Sequence, residues 1–259
     1  TQKLATIQDG ATKITLRPTQ EQLVLPRIGV AASSGVETLS QKQIDLLKEL
    51  QLHHYRIDVV PSAEDWVSKF SRQYSDSFSI GVPLAVTLRL SANYIEEAEA
   101  FVQLCYQNKV RLYKVLVLPI SDPVTTDEMI AHIHSLKSVL LGVLVGAGTD
   151  LSYKDINRNR FDKHGFDFVS YPVHPQEHLT DNTTIFDNLE SQSDGISSAV
   201  EMYMIPVHLS PVTLGKRSET DPRLHTAFGA AWTMGSILEF GVGKAEAGTY
   251  HEAAGTKGI

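Results

Sequence analysis

From residue 28 onward, short apolar runs alternate regularly with stretches of helical periodicity, and this constrains the fold more than any other feature of the chain. The runs are "IGVAAS" (28–33), "HYRIDV" (54–59), "PLAVTLRL" (83–90), "RLYKVLVL" (111–118), "LGVLVGAG" (141–148), "FDFVSYPV" (166–173), "EMYMIPVHL" (201–209) and "KAEAGTYHE" (244–252). Their length and content read as strands. After the first run, "SQKQIDLLKEL" (40–50) places Ile44, Leu47 and Leu50 at helical spacing behind Ser40 as N-cap. Further helices are expected around 62–74, 93–107, 125–140, 183–199 and 221–241. Parallel neighbours need crossovers of this kind, and a closed ring leaves no exposed sheet edge. The pattern predicts an α/β fold, a (β/α)8 TIM barrel, with an open doubly wound sheet as the alternative.

Ahead of the repeat, "KLATIQDGATKITLRP" (3–18) has two alternating segments around Asp9-Gly10, a dipeptide suited to a tight hairpin turn. Two strands alone are marginal, so residues 1–24 are expected to be a short N-terminal β-hairpin remnant of a truncated β-domain, and residues 25–259 the barrel. The chain stops after the eighth strand without a closing helix, so the intact protein is expected to continue.

Composition removes several function classes. Apolar residues at 42% and charged residues at 20% fit a packed core rather than a disordered chain. A formal charge of −7 repels a phosphate backbone, and "NRNR" (157–160) and "GKR" (215–217) are too short to reverse that, so no nucleic acid partner is expected. Cys105 is the only cysteine, which rules out an intrachain disulfide, and it shares a helical face with Ala98, Phe101 and Val102. No apolar run reaches the roughly 20 residues that cross a bilayer, and "TQKLATIQDG" lacks a signal-peptide layout; no membrane partner and a cytoplasmic location are expected.

In such barrels the chemistry sits at the carboxyl ends of the strands. Those ends carry Ser33 and Ser34, Arg56 and Asp58, Arg89, Thr149 and Asp150, His174, Gln176 and His178, His208 and Ser210, then Tyr250, His251 and Glu252. After the fifth strand, "GAGTDLSYKDINRNRF" (146–161) adds Tyr153, Asn157 and Arg158, a set suited to a polyhydroxylated or carboxylated ligand; the plainer reading is a solvated loop with Asp150 as a helix N-cap. After the sixth, His174, Glu177 and His178 have the order of an inverted zinc-protease motif, but Pro175 and the lack of an apolar period argue against a helix there. No metal and no cofactor are expected. Ser210 lacks a Gly-x-Ser-x-Gly elbow, and "GVGKAEAG" (241–248) lacks the ending of a phosphate loop. Phe228, Trp232 and Leu238 read as core packing.

The ordered motifs "LPRIGVA", "HYRID", "GTDLSYKDINRNR", "PQEHLTDN", "PVTL", "DPRLHTAFGAAWTMGSI" and "TYHEAAGTKGI" resemble the D-apionate lactonase family from about Leu25 to Ile259. Departures are His174, where the resemblance leads one to expect asparagine, and His251 and Ala253, where it leads one to expect tyrosine and threonine. The resemblance implies a carbohydrate-active barrel that hydrolyses a sugar lactone to the aldonate, with β-rich sequence before the barrel and more sequence after it.

Lactone hydrolysis needs a base or nucleophile, a donor for the oxyanion and a proton for the leaving alkoxide. Glu252 is expected to activate water or attack directly, with Asp150 as partner carboxylate and His178 as donor. Asn157, Arg158, Gln176, Tyr250, His174 and Arg56 are expected to bind the sugar. Alternatives are a retaining glycosidase, for which the fourth strand offers only Asp122, and a non-catalytic carbohydrate-binding barrel.

Overall fold

The computed structural model describes residues 22–35, 38–161, 165–216 and 219–258. The expected hairpin at 3–18 lies outside the described residues. Eight parallel strands close into a ring in sequence order: β1 (Arg27–Ala31), β2 (His54–Val59), β3 (Leu84–Leu90), β4 (Leu112–Pro119), β5 (Leu144–Gly148), β6 (Phe168–Val173), β7 (Val207–Val212) and β8 (Ala247–Tyr250). Closure is made by β1 against β8, with Arg27 opposite Ala247 and Val30 opposite Tyr250.

The outer layer comprises α1 (Gln41–Glu49), α2 (Trp66–Ile80), α3 (Tyr94–Gln107), α4 (Asp127–Val139), α5 (Tyr153–Arg158), α6 (Asn182–Asp187), α7 (Glu190–Tyr203) and α8 (Ala227–Val242). Ser40 caps α1 as expected, its hydroxyl accepting from the Gln43 amide while Gln43 reaches back. Cys105 is buried in α3 beside Ala98 and Phe101. No described helix is long and apolar enough to cross a membrane.

Strand alternation sorts side chains between the two layers. On β2, Tyr55, Ile57 and Val59 are buried in the apolar layer under the helices, whereas His54 and Arg56 reach partners across the lumen. At the end of β5, Gly148 has φ +153°, and a Cβ there would lie 1.9 Å from the Ser170 carbonyl oxygen. Only glycine permits that approach, after which Thr149 is buried with its hydroxyl donating to the Pro123 carbonyl and Asp150 reaches Arg89.

Several expected boundaries differ, among them the helix expected at 62–74, which is Trp66–Ile80, and the strand expected at 244–252, which is Ala247–Tyr250; three differ in kind. The run "EMYMIPVHL" is not one strand: Glu201–Tyr203 finish α7, and β7 begins at Val207. An apolar run fits a buried helix turn as well as a strand, and Pro206 separates the two. The helix expected at 183–199 is two, because Asp181 caps α6 and the chain breaks at Asn188 before α7. The helix expected at 221–241 is a 3-10 turn (Pro222–His225) followed by α8, whose N-cap is Thr226. Trp232 fills the inner face of α8, but Leu238 is 51% exposed rather than packed.

Candidate active site

The segment after β8 folds back over the end of β1. The Ala253 amide donates to the Ala31 carbonyl at 2.8 Å, the Ser33 hydroxyl donates to the Ala254 carbonyl at 2.7 Å, and the Glu252 amide donates to the Lys257 carbonyl at 2.7 Å. Ala253 and Ala254 are small enough to be buried in this turn. The result fixes Glu252, only 6% exposed, with the Ser34 amide donating to one carboxylate oxygen at 2.9 Å and the Ser34 hydroxyl to the other at 2.8 Å. Each oxygen keeps a further lone pair for a ligand.

Beside it runs a chain of charges. Arg56, 2% exposed, donates to the Ser210 hydroxyl across the lumen and to Asp58, both at 2.9 Å. Asp58 also faces Arg89 at 3.5 Å, and Arg89 in turn donates to Asp150. Asp150 is therefore a mouth carboxylate held by β3, while the N-cap of α5 is Ser152. A cavity of about 420 Å³ opens here, lined by Ser33, Ser34, Arg56, Asp58, His251, Glu252 and Lys257, and on one side by Lys69, Arg72 and Gln73 of α2.

Of the residues expected in the site, Glu252 and Arg56 line this cavity, and Asp150 joins it through Arg89. The rest stand elsewhere. Tyr250 is buried with its hydroxyl on Ser236 of α8, in the layer between strand and helix. Gln176 donates to the Leu214 carbonyl at 3.0 Å and to Asp221 at 2.5 Å. The Asp221 carboxyl is pulled down to about 2, first by the Arg223 guanidinium and also by Gln176. His174 and His178 line a separate cavity of about 430 Å³ between α5 and α7, on a loop rather than a helix. Asn157 and Arg158 are exposed on α5.

Below the mouth the lumen stays polar. Lys114 of β4 meets the His208 Nδ1 at 3.2 Å, His54 meets the Thr249 hydroxyl at 2.8 Å, and Phe168 stacks on His208 at 4.1 Å. Burial, then the Arg56 charge, lower Lys114 to about 7; burial and Lys114 hold His54 and His208 well below their ordinary value.

Against this fold and mouth, residues 28–220 match the D-apionate lactonase, TIM barrel domain. That is about three quarters of the chain. The chain belongs to the D-apionate lactonase family. The matched span ends before β8, so the Glu252 segment lies beyond it. No curated protein matches this lactonase-family chain. Among solved structures, it resembles an endo-1,4-β-D-mannanase from Thermotoga petrophila RKU-1 (TM-score 0.57, 10% identity, 87% of each chain covered). It also resembles a β-1,3-glucanosyltransferase from Rhizomucor miehei (0.58, 12%, 86% of each). A third is AbfB, a family 51 α-L-arabinofuranosidase from Bifidobacterium longum (0.59, 12%, 89% of this chain and 67% of that one). At such identities the likeness is one of fold.

Ser34, Asp58 and Arg89 of this lactonase-family mouth stand at strand ends, where polarity alone assigns them no role. The α2 wall lies away from the strand ends. Lys69, Arg72 and Gln73 stand at i, i+3 and i+4, a spacing that puts them on one helical face and that was there to be read.

Proposed function

We propose that this protein is a hydrolase that opens a sugar lactone, D-apionolactone or a close relative, to the aldonate. The observation that carries the reading is the Glu252 carboxylate, buried, oriented by two donors from Ser34, and facing a polar cavity in a lactonase-family barrel. Glu252 takes a proton from water as the oxygen adds to the lactone carbonyl carbon. The tetrahedral oxyanion collapses, the ring C–O bond breaks, and the proton held by Glu252 passes to the departing ring oxygen. His251 and Lys257 line the same cavity and are the groups proposed to stabilise the oxyanion. Arg56, fixed by Ser210 and Asp58, together with the Arg89-bound Asp150, is proposed to hold substrate hydroxyls. His178 receives no role because it lines the other cavity. The test is proton release from D-apionolactone and related lactones by the full-length protein; no release above the uncatalysed rate from any of them sinks the reading.

A second reading, a retaining glycosidase, is favoured by the presence of Asp58 and Glu252 in one cavity. Such an enzyme needs one carboxyl group available to protonate the glycosidic oxygen. Asp58 is instead engaged by Arg56 and Arg89, and β4 ends at Pro119, with the exposed Asp122 beyond it accepting from Ser121 at 2.9 Å. Release of nitrophenol from aryl glycosides would favour this reading over the lactonase; sugar binding without turnover of either substrate class would favour a binding module.

A further inference from the structure

The charge of the mouth is opposite to the charge of the molecule. The chain carries a formal −7, yet its mouth cavity is lined by four cations, Arg56, Lys69, Arg72 and Lys257, against two carboxylates, Asp58 and Glu252. Arg56 and Asp58 are bonded to each other, so the excess positive charge of the mouth lies toward its walls. Lys69 and Arg72 project from one face of α2, and no ion pair holds either of them among the described residues. Beside them, Gln73 has a side-chain oxygen without a donor, a partner that a sugar hydroxyl supplies. A wall of this kind can bond a neutral polyol, but it attracts a small anion more strongly, because the excess cations add a Coulombic pull that a neutral ligand does not feel.

We propose that the Lys69 and Arg72 wall of α2 is a carboxylate subsite, which makes the mouth bind an aldonate in preference to a neutral sugar of the same skeleton. The inference rests on the lactonase reading of the same cavity and adds regulation to it. A lactone is neutral, whereas the tetrahedral intermediate and the ring-opened product are both anionic. A cationic wall therefore favours what forms after attack, and the enzyme is held back by its own product. Ionic strength weakens that hold because Lys69 and Arg72 are exposed.

The test is calorimetric titration of the full-length protein with D-apionate and D-gluconate and with the alditols of the same skeletons, at low and high salt. The expected result is about tenfold tighter binding of the aldonates at low salt, a difference largely lost in roughly 0.5 M salt. The double variant Lys69→Ala, Arg72→Ala, or the milder Lys69→Gln, Arg72→Gln, abolishes the preference. Lys48→Ala, on the exposed face of α1, is the control and leaves it unchanged. Equal affinity for aldonate and alditol, binding of neither, or a preference that survives the double variant overturns the proposal. The two readings fail separately. Lactone turnover without aldonate preference removes the subsite alone, and aldonate preference without turnover of any lactone removes the hydrolase alone.

Discussion

The mouth and the floor of this barrel are both polar, the floor built from strand positions and the mouth from strand ends and the segments that follow them, yet they treat charge in opposite ways. In the mouth, Arg56, Asp58, Arg89 and Asp150 form a row in which each charge meets its opposite, and Glu252 is oriented by Ser34. On the floor, Lys114, His54 and His208 are nearly or wholly buried, and the partner of the lysine amine is an imidazole rather than a carboxylate. Pairing keeps charges charged, whereas on the floor burial outweighs the nearby Glu246 charge and favours the uncharged form of Lys114. Height along the barrel axis therefore separates charges met by their opposites from buried groups pushed toward their neutral forms.

The largest expected effect tests the mouth. Glu252→Gln keeps the shape and one acceptor but removes the base, so turnover of the lactone should fall by about 10²–10⁴-fold while ligand binding persists. Initial-rate kinetics beside calorimetry check this, and unchanged turnover would take Glu252 out of the mechanism. Next comes Arg56→Met, which leaves Ser210 and Asp58 without their lumen partner; unfolding in urea should show a loss of roughly 3 kcal/mol. A loss below about 0.5 kcal/mol would mean that the row of charges contributes little to holding the mouth.

The floor predicts a smaller effect with a definite sign. Lys114 is lowered to about 7 in the folded protein from an ordinary 10.5, so between those values the unfolded chain binds more protons than the folded one. Stability should therefore rise as pH increases from 7 toward 10, with a slope of at most about 1.4 kcal/mol per pH unit, and the cost should be fully present below pH 7. Lys114→Met should flatten that dependence and stabilise the protein at pH 6. Denaturation midpoints across pH 6–9.5 decide it; parallel profiles for the two proteins would show that the buried amine finds compensation elsewhere.

The ring was legible because each strand is a short apolar run that nothing but a crossover could join to the next. Its edges were less so. Met202, Tyr203 and Met204 are as apolar as a strand, and only the packing of α7 against its neighbours makes Glu201–Tyr203 the end of a helix. For the site, polarity at strand ends pointed to Glu252, Arg56 and Asp150 but did not say which way a side chain faces. Parity would have helped: Thr249 meets His54 across the lumen, so Tyr250 faces α8 and His251 faces the mouth. The α2 cations stand outside the strand-end pattern, because a helix that follows a strand can wall the same opening. Asn157, Arg158, Gln176, His174 and His178 follow strands five and six in sequence, but Asn157 and Arg158 stand on the exposed face of α5, Gln176 is buried against Leu214 and Asp221, and the two histidines line the other cavity, none of which a strand-end position reveals.

The smallest expected effect sharpens the division between the two cavities. His178 is exposed and lines the space between α5 and α7, with His174 near it, held 3.3 Å from Glu177. Among the described residues the two cavities share no lining residue. His178→Ala should therefore change kcat/KM for the lactone by less than about twofold, since a general acid acts only within hydrogen-bond reach of the proton it moves. A drop of a hundredfold would mean that the loop between β6 and α6 swings over the mouth when substrate binds. The carboxylate network would then be half of the catalytic apparatus, with the sixth loop supplying the proton that Glu252 is here proposed to carry.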